Sequence, residues 1–261
     1  MNIWTQRSID FANQRNYLDE LFKVYPTIPE GIRDINKYKW EQVEIAFKNK
    51  DAKQLLKSLL NLELFPIKDS YVAYLKRDEG AIDRNPKTVQ RLSSALFGME
   101  LSEIYEKCSQ PKETNRQIGP MFRNWLRTGV LGFPLVSDES KFLKSSSDAI
   151  LDLSDNGLSK FAQKYLNYKN DKGLDFVAKI NNQYVVGEAK FLTDFGGHQN
   201  AQFNDAIRLV KNKDIKAITI AILDGVPYIE GRNKMSRFIR DNAGKYNIMS
   251  ALVLKEFLYQ L

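Results

Sequence analysis

The spacing of apolar residues changes near residue 130, from a helical period to a mixture of helical and strand periods. Before that point the period predicts helices separated by loops. The predicted helical segments are residues 8–25, 35–49, 51–65, 87–97, 100–108 and 113–129. Asn85 and Pro86 are typical of a helix start, as cap and first residue, and Gly98 is typical of the position just after a helix end.

After residue 130, strand patterns enter the chain. Residues 174–180 and 183–191 are rich in β-branched and aromatic residues, and they flank Asn181 and Asn182, which tolerate the left-handed backbone of a hairpin turn. Residues 216–223 are almost entirely apolar, which predicts a strand buried on both faces. The other predicted segments are helices at 155–166, 198–212, 233–242 and 252–261, an extended piece at 226–230 and a strand at 246–251.

This order of elements predicts an α/β fold of the mixed α+β kind. Its core would be a helix, a β-hairpin, a second helix and a buried strand. We expect a helical N-terminal region at residues 1–112 and the core at residues 113–261. An open alternative is that the N-terminal helices pack onto the sheet as one body.

Composition narrows the class of protein. Apolar residues make up 43% of the 261 residues, which is enough for a large buried core. With one cysteine (Cys108) and one histidine (His198), the chain can form neither an intramolecular disulfide nor a Cys/His zinc cluster. No apolar run approaches the ~20 residues that span a bilayer, and the N-terminus lacks the apolar segment of a signal peptide. We therefore expect a cytoplasmic protein with no membrane partner.

Positive charge is concentrated near the C-terminus. The formal net charge is +7, and residues 201–261 hold 10 Lys and Arg against 6 Asp and Glu, an excess of 4. The predicted helix at 233–242 places Lys234, Arg237 and Arg240 roughly on one face, with Arg232 just before it. Such a face is suited to DNA phosphates, although a solvated helix face is about equally compatible with the pattern.

Charged residues interrupt the predicted hairpin. Asp175 lies on its first strand, and Glu188 and Lys190, two residues apart on its second strand, point to the same side. An acid two residues before a lysine occurs four times in the chain, but only this pair follows apolar strand residues and has an acid on the partner strand. Two converging carboxylates repel each other, and a divalent cation relieves that repulsion. The alternative is an ordinary surface hairpin with a solvated polar face.

The segments GLDF (173–176) and VVGEAK (185–190) resemble the active-site hairpin of the PD-(D/E)xK nuclease superfamily, and specifically of type II restriction endonucleases. The resemblance implies a restriction-endonuclease-like core in which Asp175, Glu188 and the backbone carbonyl of Ala189 hold Mg²⁺, and Lys190 completes the catalytic set. It further implies hydrolysis of double-stranded DNA by a homodimer at a palindromic site that a cognate methyltransferase protects. Leu174 departs from the motif, which has Pro there.

Other residues are expected to support this site. Many enzymes of the superfamily carry one more acid on the preceding helix, and Glu113 is the candidate. Arg116 in the same segment, and Gln199, Asn200 and Gln202 at a helix start after the hairpin, are candidate DNA contacts, where a helix N-terminus favours phosphate. The N-terminal region is a further candidate surface for DNA. The alternatives are a structure-specific or repair endonuclease of the same superfamily, and a non-catalytic DNA-binding protein.

Overall fold

A computed structural model describes residues 2–26, 34–78, 80–110 and 118–261. The chain divides into two compact units. The larger unit contains residues 1–27 and 114–261, and the smaller unit, residues 28–113, is inserted between these two parts of the sequence. Within the described residues, no helix combines the length and the apolar character needed to cross a bilayer.

Two helices begin the larger unit, α1 (Ile3–Ala12) and α2 (Tyr17–Val24). The sequence predicted one helix over residues 8–25, but Asn16 adopts a left-handed backbone with φ of 68° and separates the two helices. Buried residues of α2 pack into the core of the larger unit. The first 27 residues therefore group with the sheet, whereas the predicted division placed them in the N-terminal region 1–112.

The smaller unit is helical and has its own apolar core. Its helices are α3 (Lys37–Lys48), α4 (Ala52–Leu60), α5 (Ser70–Leu75), α6 (Ala81–Arg84), α7 (Pro86–Phe97) and α8 (Leu101–Cys108). Pro86 is the first residue of α7, as predicted, but the Asn85 side chain does not cap it and donates instead to the carbonyl of Ala81, at 2.8 Å. Gly98 follows α7 with φ of −82°, so this helix end does not require a left-handed glycine.

In the part of the chain that the structure describes, six strands form one mixed sheet in the order β1 to β6. They are β1 (Leu135–Val136), β2 (Ala149–Leu151), β3 (Phe176–Ile180), β4 (Gln183–Leu192), β5 (Ile218–Gly225) and β6 (Asn247–Met249). The helices of this part are α9 (Ile118–Arg127), α10 (Glu139–Lys144), α11 (Asp155–Tyr165), α12 (Gly197–Lys211), α13 (Lys234–Asn242) and α14 (Ala251–Tyr259). The predicted α/β class and the predicted order of helix, hairpin, helix and strand are confirmed.

The centre of the sheet agrees closely with the sequence pattern. Strands β3 and β4 are antiparallel, and Asn181 and Asn182 between them have φ of 47° and 61°, as a tight hairpin turn requires. Strand β5 pairs in parallel with β4, and its residues 220–223 are fully buried. One face of the sheet packs against α2, α9 and α14, and the opposite face packs against α11, α12 and α13.

The pattern of apolar residues in the sequence did not predict the short elements. Strands β1 and β2 have only two and three residues, too few to show a period, and helix α10 lies in a serine-rich stretch. The piece expected to be extended at 226–230 begins as a 3-10 turn at Val226–Tyr228, because Pro227 suits the first turn of a helix.

A buried carboxylate joins the end of β5 to both terminal segments. Asp224 is fully buried, and it accepts hydrogen bonds from the hydroxyls of Tyr25 (2.8 Å) and Ser250 and from the backbone N–H of Ala251 (3.2 Å). Burial raises its pKa to about 6, against the opposing effect of these donors. The ring of Tyr25 stacks on Phe191 of β4, with centroids 5.1 Å apart. These contacts fasten α2 to the strand that carries Glu188 and Lys190.

Replacing Gly225 by Ala should destabilise the protein strongly. Gly225 has φ of 88°, and an added Cβ would overlap the carbonyl oxygen of Leu192 on the neighbouring strand. We expect the free energy of unfolding to fall by more than about 2 kcal/mol. Urea unfolding measures this, with Gly244→Ala as the control, because Gly244 has open space around it. Equal stability of the two variants would contradict the tight approach of the strands.

Candidate active site

The hairpin brings Asp175, Glu188 and Lys190 into direct contact. Asp175 lies just before β3, and its N–H donates to the carbonyl of Gly187 on β4, at 3.2 Å. The Nζ atom of Lys190 is 3.1 Å from Asp175 Oδ2 and 2.7 Å from Glu188 Oε1. Asp175 Oδ2 also accepts the N–H of Ala189, at 2.9 Å. The lysine therefore bridges the two carboxylates, as the two-residue spacing on one strand permits.

This group is largely removed from water. The side chains of Asp175 and Glu188 are each 11% exposed, and that of Lys190 is 21% exposed. A solvated polar face, which was the alternative reading of the hairpin, does not fit these values. Burying charged groups is costly unless they are paired, and here two carboxylates share one ammonium group.

Electrostatics distinguish the members of the group. Burial, and then the charge of Asp175, raise the pKa of Glu188 to about 7, despite the opposing effect of Lys190. Burial acts to lower the pKa of Lys190, but the attraction of Asp175 and Glu188 outweighs it, so the pKa is raised. Lys190 is therefore a cation at neutral pH, whereas Glu188 keeps its proton to a higher pH than an ordinary carboxyl group.

A cleft of about 290 Å³ opens next to Glu188. Its walls come from the segment before β3 and from α12, and they comprise Tyr168, Lys169, Asn170, Asp171, Lys172, Glu188, Asp205, Arg208 and Leu209. Burial raises the pKa of the Tyr168 hydroxyl, and the negative charges of Glu188 and Asp175 raise it further. Asp205 adds to the rise in the pKa of Glu188. Sequence reasoning missed Tyr168 and Asp205, because only the fold brings them to the hairpin.

The donor set of this site fits a hard divalent cation. Two carboxylates from adjacent strands supply oxygen ligands, which Mg²⁺ prefers, and Mg²⁺ usually keeps several waters and needs only one or two protein carboxylates. Among the residues described, no cluster of three or more His, Cys, Asp or Glu side chains is arranged to hold a metal. The protein groups available are therefore the two carboxylates and the backbone near Ala189.

Comparison with protein families decides the class of this protein. The family model described as "Tsp45I type II restriction enzyme" matches residues 2–261. The chain belongs to this family. It is a site-specific restriction endonuclease, which acts on double-stranded DNA. The predicted resemblance to type II restriction endonucleases is confirmed. Neither the curated proteins nor the solved structures include a match.

Two predicted residues of this restriction enzyme cannot be placed. Glu113, the expected additional acid, and Arg116, an expected DNA contact, lie outside the described residues. Helix α9 follows them in sequence, and Gly119 in its first turn faces Asp175, because a Cβ built there would lie 3.8 Å from Asp175 Oδ1. The chain after residue 117 thus passes close to the site, and the roles of Glu113 and Arg116 stay predictions.

The predicted residues at the start of α12 form hydrogen bonds within the protein. Gln199 is buried, and its side chain accepts the N–H of Thr193 (3.3 Å) and donates to that residue's hydroxyl (3.4 Å). Asn200 donates to the carbonyl of Phe195, at 2.6 Å. Gln202 pairs with the ring of His198, at 3.1 Å. Gln199 and Asn200 thus stabilise the loop between β4 and α12.

Helix α13 presents the predicted basic face to solvent. Lys234, Arg237 and Arg240 are exposed on this helix, and Arg232 is exposed just before it. One guanidinium N–H of Arg240 donates to the carbonyl of Gly231, at 2.9 Å, which holds this arginine over the start of the helix. Apolar residues on the opposite side, Met235 and Ile239, anchor the helix in the core. The face is accessible to a polyanion.

The stability of the metal-free protein should fall as pH rises from about 4.5 to about 7. The folded-state pKa of Glu188 lies above its unfolded value, so the folded state binds the extra proton in this window and loses that stabilisation as the proton leaves. We expect Glu188→Gln, which resembles the neutral acid, to remove up to about 3 kcal/mol of this pH dependence.

Urea unfolding in EDTA at about pH 5 and about pH 8 measures the effect. The matched control is Glu139→Gln, which neutralises an acid in another acid-x-lysine sequence, on α10. It should leave the pH dependence as in the unaltered protein. Parallel pH profiles for Glu188→Gln and the unaltered protein would contradict the described environment of Glu188.

Proposed function

We propose that Asp175, Glu188 and Lys190 form the active site at which this restriction enzyme hydrolyses DNA phosphodiester bonds. The observation that carries the proposal is their convergence in a nearly dry corner of the sheet, where one lysine bridges two carboxylates. Such an arrangement is costly for stability and has no evident structural use, since the hairpin is already fixed by its backbone pairing. Perturbed ionisable groups beside a cleft are typical of catalytic sites.

The cofactor we propose is Mg²⁺, which Asp175, Glu188 and the backbone carbonyl of Ala189 would hold. When bound, it supplies positive charge that polarises the phosphodiester and offsets the negative charge of the reaction. Glu188 lines the adjacent cleft, so the two carboxylates would hold this charge beside it. Asp175 is itself oriented by the N–H of Ala189, which occupies one lone pair of Oδ2.

Lys190 is proposed to act on the substrate. Its Nζ carries three N–H donors, two of which point to Asp175 and Glu188. The third can donate to a phosphate oxygen or to the attacking water, which orients the reacting atoms and stabilises developing negative charge. Because the two carboxylates raise the pKa of Lys190, the charged form is the one that meets the substrate.

DNA contacts outside this centre extend the proposal. The exposed basic residues Arg232, Lys234, Arg237 and Arg240 would bind phosphates, and Gln202, at the start of α12, would face the DNA. Gln199 and Asn200 would act through the loop that they hold. We keep Glu113 as an additional active-site acid, Arg116 as a DNA contact and the helical N-terminal region as a further DNA surface.

The proposed assembly is a homodimer that cuts both strands of a palindromic site, because a two-fold protein matches a two-fold target. A cognate methyltransferase would protect the same sequence, and both would work in the cytoplasm. A repair endonuclease and a non-catalytic DNA-binding protein have no comparable support, since the family is one of site-specific restriction enzymes.

Cleavage of phage DNA in Mg²⁺ tests the proposed site. We expect the unaltered protein to give discrete fragments and Glu188→Ala to give none. Lys190→Ala should bind DNA but lose cleavage by about 100-fold or more, because it removes a group that acts on the reacting atoms. Glu139→Ala, the matched control in another acid-x-lysine sequence, should cut normally. Normal cleavage by Lys190→Ala would contradict its assigned role.

A further inference from the structure

A cationic pair borders the cleft beside Glu188. Lys172, from the segment before β3, and Arg208, from α12, approach the same acid, Asp205. Lys172 Nζ pairs with Asp205 Oδ2, and Arg208 Nη1 lies 3.7 Å from Asp205 Oδ1. Two cations thus share one carboxylate, which leaves the trio with one net positive charge.

The two cations are much more exposed to solvent than the acid that they share. The side chains of Lys172 and Arg208 are 59% and 65% exposed, but that of Asp205 is only 23% exposed. An exposed ion pair contributes little to stability, so these pairs have limited value as structural bonds. Their geometry instead holds two exposed cations beside one partly buried acid.

The segment that carries Lys172 is itself held in place. The hydroxyl of Tyr168 donates to the carbonyl of Lys172, at 3.2 Å, and Gln163 donates to the carbonyl of Asn170, at 2.8 Å. Gly173 packs so closely on α11 that an added Cβ would lie 2.7 Å from the Cβ of Asp155. Lys172 therefore extends from a fixed backbone.

We propose that Lys172 and Arg208 bind a backbone phosphate of DNA next to the phosphate that is cut, and that Asp205 offsets one of their two charges in the free protein. The inference rests on the proposed active site, because Glu188 and this trio line the same cleft. Successive phosphates of one strand are about 3.4 Å apart along the helix axis, so a strand with one phosphate at Lys190 places others beside the cleft. The net positive charge of Lys172, Arg208 and Asp205 complements a phosphodiester.

The test measures how DNA binding depends on salt. Fluorescence anisotropy with a labelled duplex in EDTA gives binding without metal-dependent cleavage. Each lost phosphate contact should reduce the slope of log K against log [salt] by about 0.9. Because the two cations share one phosphate, we expect the double variant Lys172→Gln/Arg208→Gln to lower the slope by about that amount, and each single variant to lower it by a smaller amount.

Two control variants separate phosphate binding from structural effects. Asp205→Asn disrupts the same ion pairs but keeps both cations, so its slope should equal or exceed that of the unaltered protein. If Asp205→Asn instead reproduces the loss seen in Lys172→Gln, the pairs are structural and the proposal is wrong. Lys160→Gln removes an exposed cation of α11 that does not line the cleft and should leave the slope unchanged.

The result is separable from that of the active-site proposal. Unchanged slopes in Lys172→Gln and Arg208→Gln, with an inactive Glu188→Ala, would overturn the phosphate contact alone. Reduced slopes with a fully active Glu188→Ala would overturn the proposed active site while supporting phosphate binding by the two cations. Circular dichroism of each variant checks that the fold is retained.

Discussion

Two carboxylates and one ammonium group share a nearly dry corner of the sheet, where the lysine can offset the charge of only one carboxylate. Lys190 contacts both Asp175 and Glu188, yet the pKa of Glu188 remains raised to about 7, because burial and Asp175 outweigh the lysine. The imbalance is the central constraint on this enzyme. A divalent cation would offset the negative charge that Lys190 leaves uncompensated, and type II restriction enzymes typically use such a metal.

The fold holds this unfavourable group at its centre by fixing the backbone around it. The tight turn at Asn181 and Asn182 sets the register that places Asp175 opposite the strand of Glu188. Strand β5 then pairs with β4 on its other side. Near the end of β5 lies Asp224, whose hydroxyl partners tie α2 and α14 to the sheet. Side chains on such a scaffold cannot separate to relieve their repulsion.

The parts that the sequence predicted are those with a strong local signal. The two asparagines, the β-branched and aromatic residues of β4 and the apolar run of β5 each follow a short-range rule of sequence. The charges on the hairpin depart from the expected apolar pattern, which made them recognisable. Asp205 and Tyr168 were missed because their segments lie apart in sequence and only packing brings them to Glu188. The break between α1 and α2 at Asn16 was not predicted, because one left-handed residue can interrupt a helix without altering the spacing of the apolar residues.

Locating a metal at the two carboxylates tests the proposed active site. A crystal of the protein soaked in Mn²⁺, as a stand-in for Mg²⁺, gives an anomalous signal at the ion. We expect a peak within about 2–2.5 Å of carboxylate oxygens of both Asp175 and Glu188. A peak only elsewhere, with Lys190 still bridging both carboxylates at saturating Mn²⁺, would contradict it.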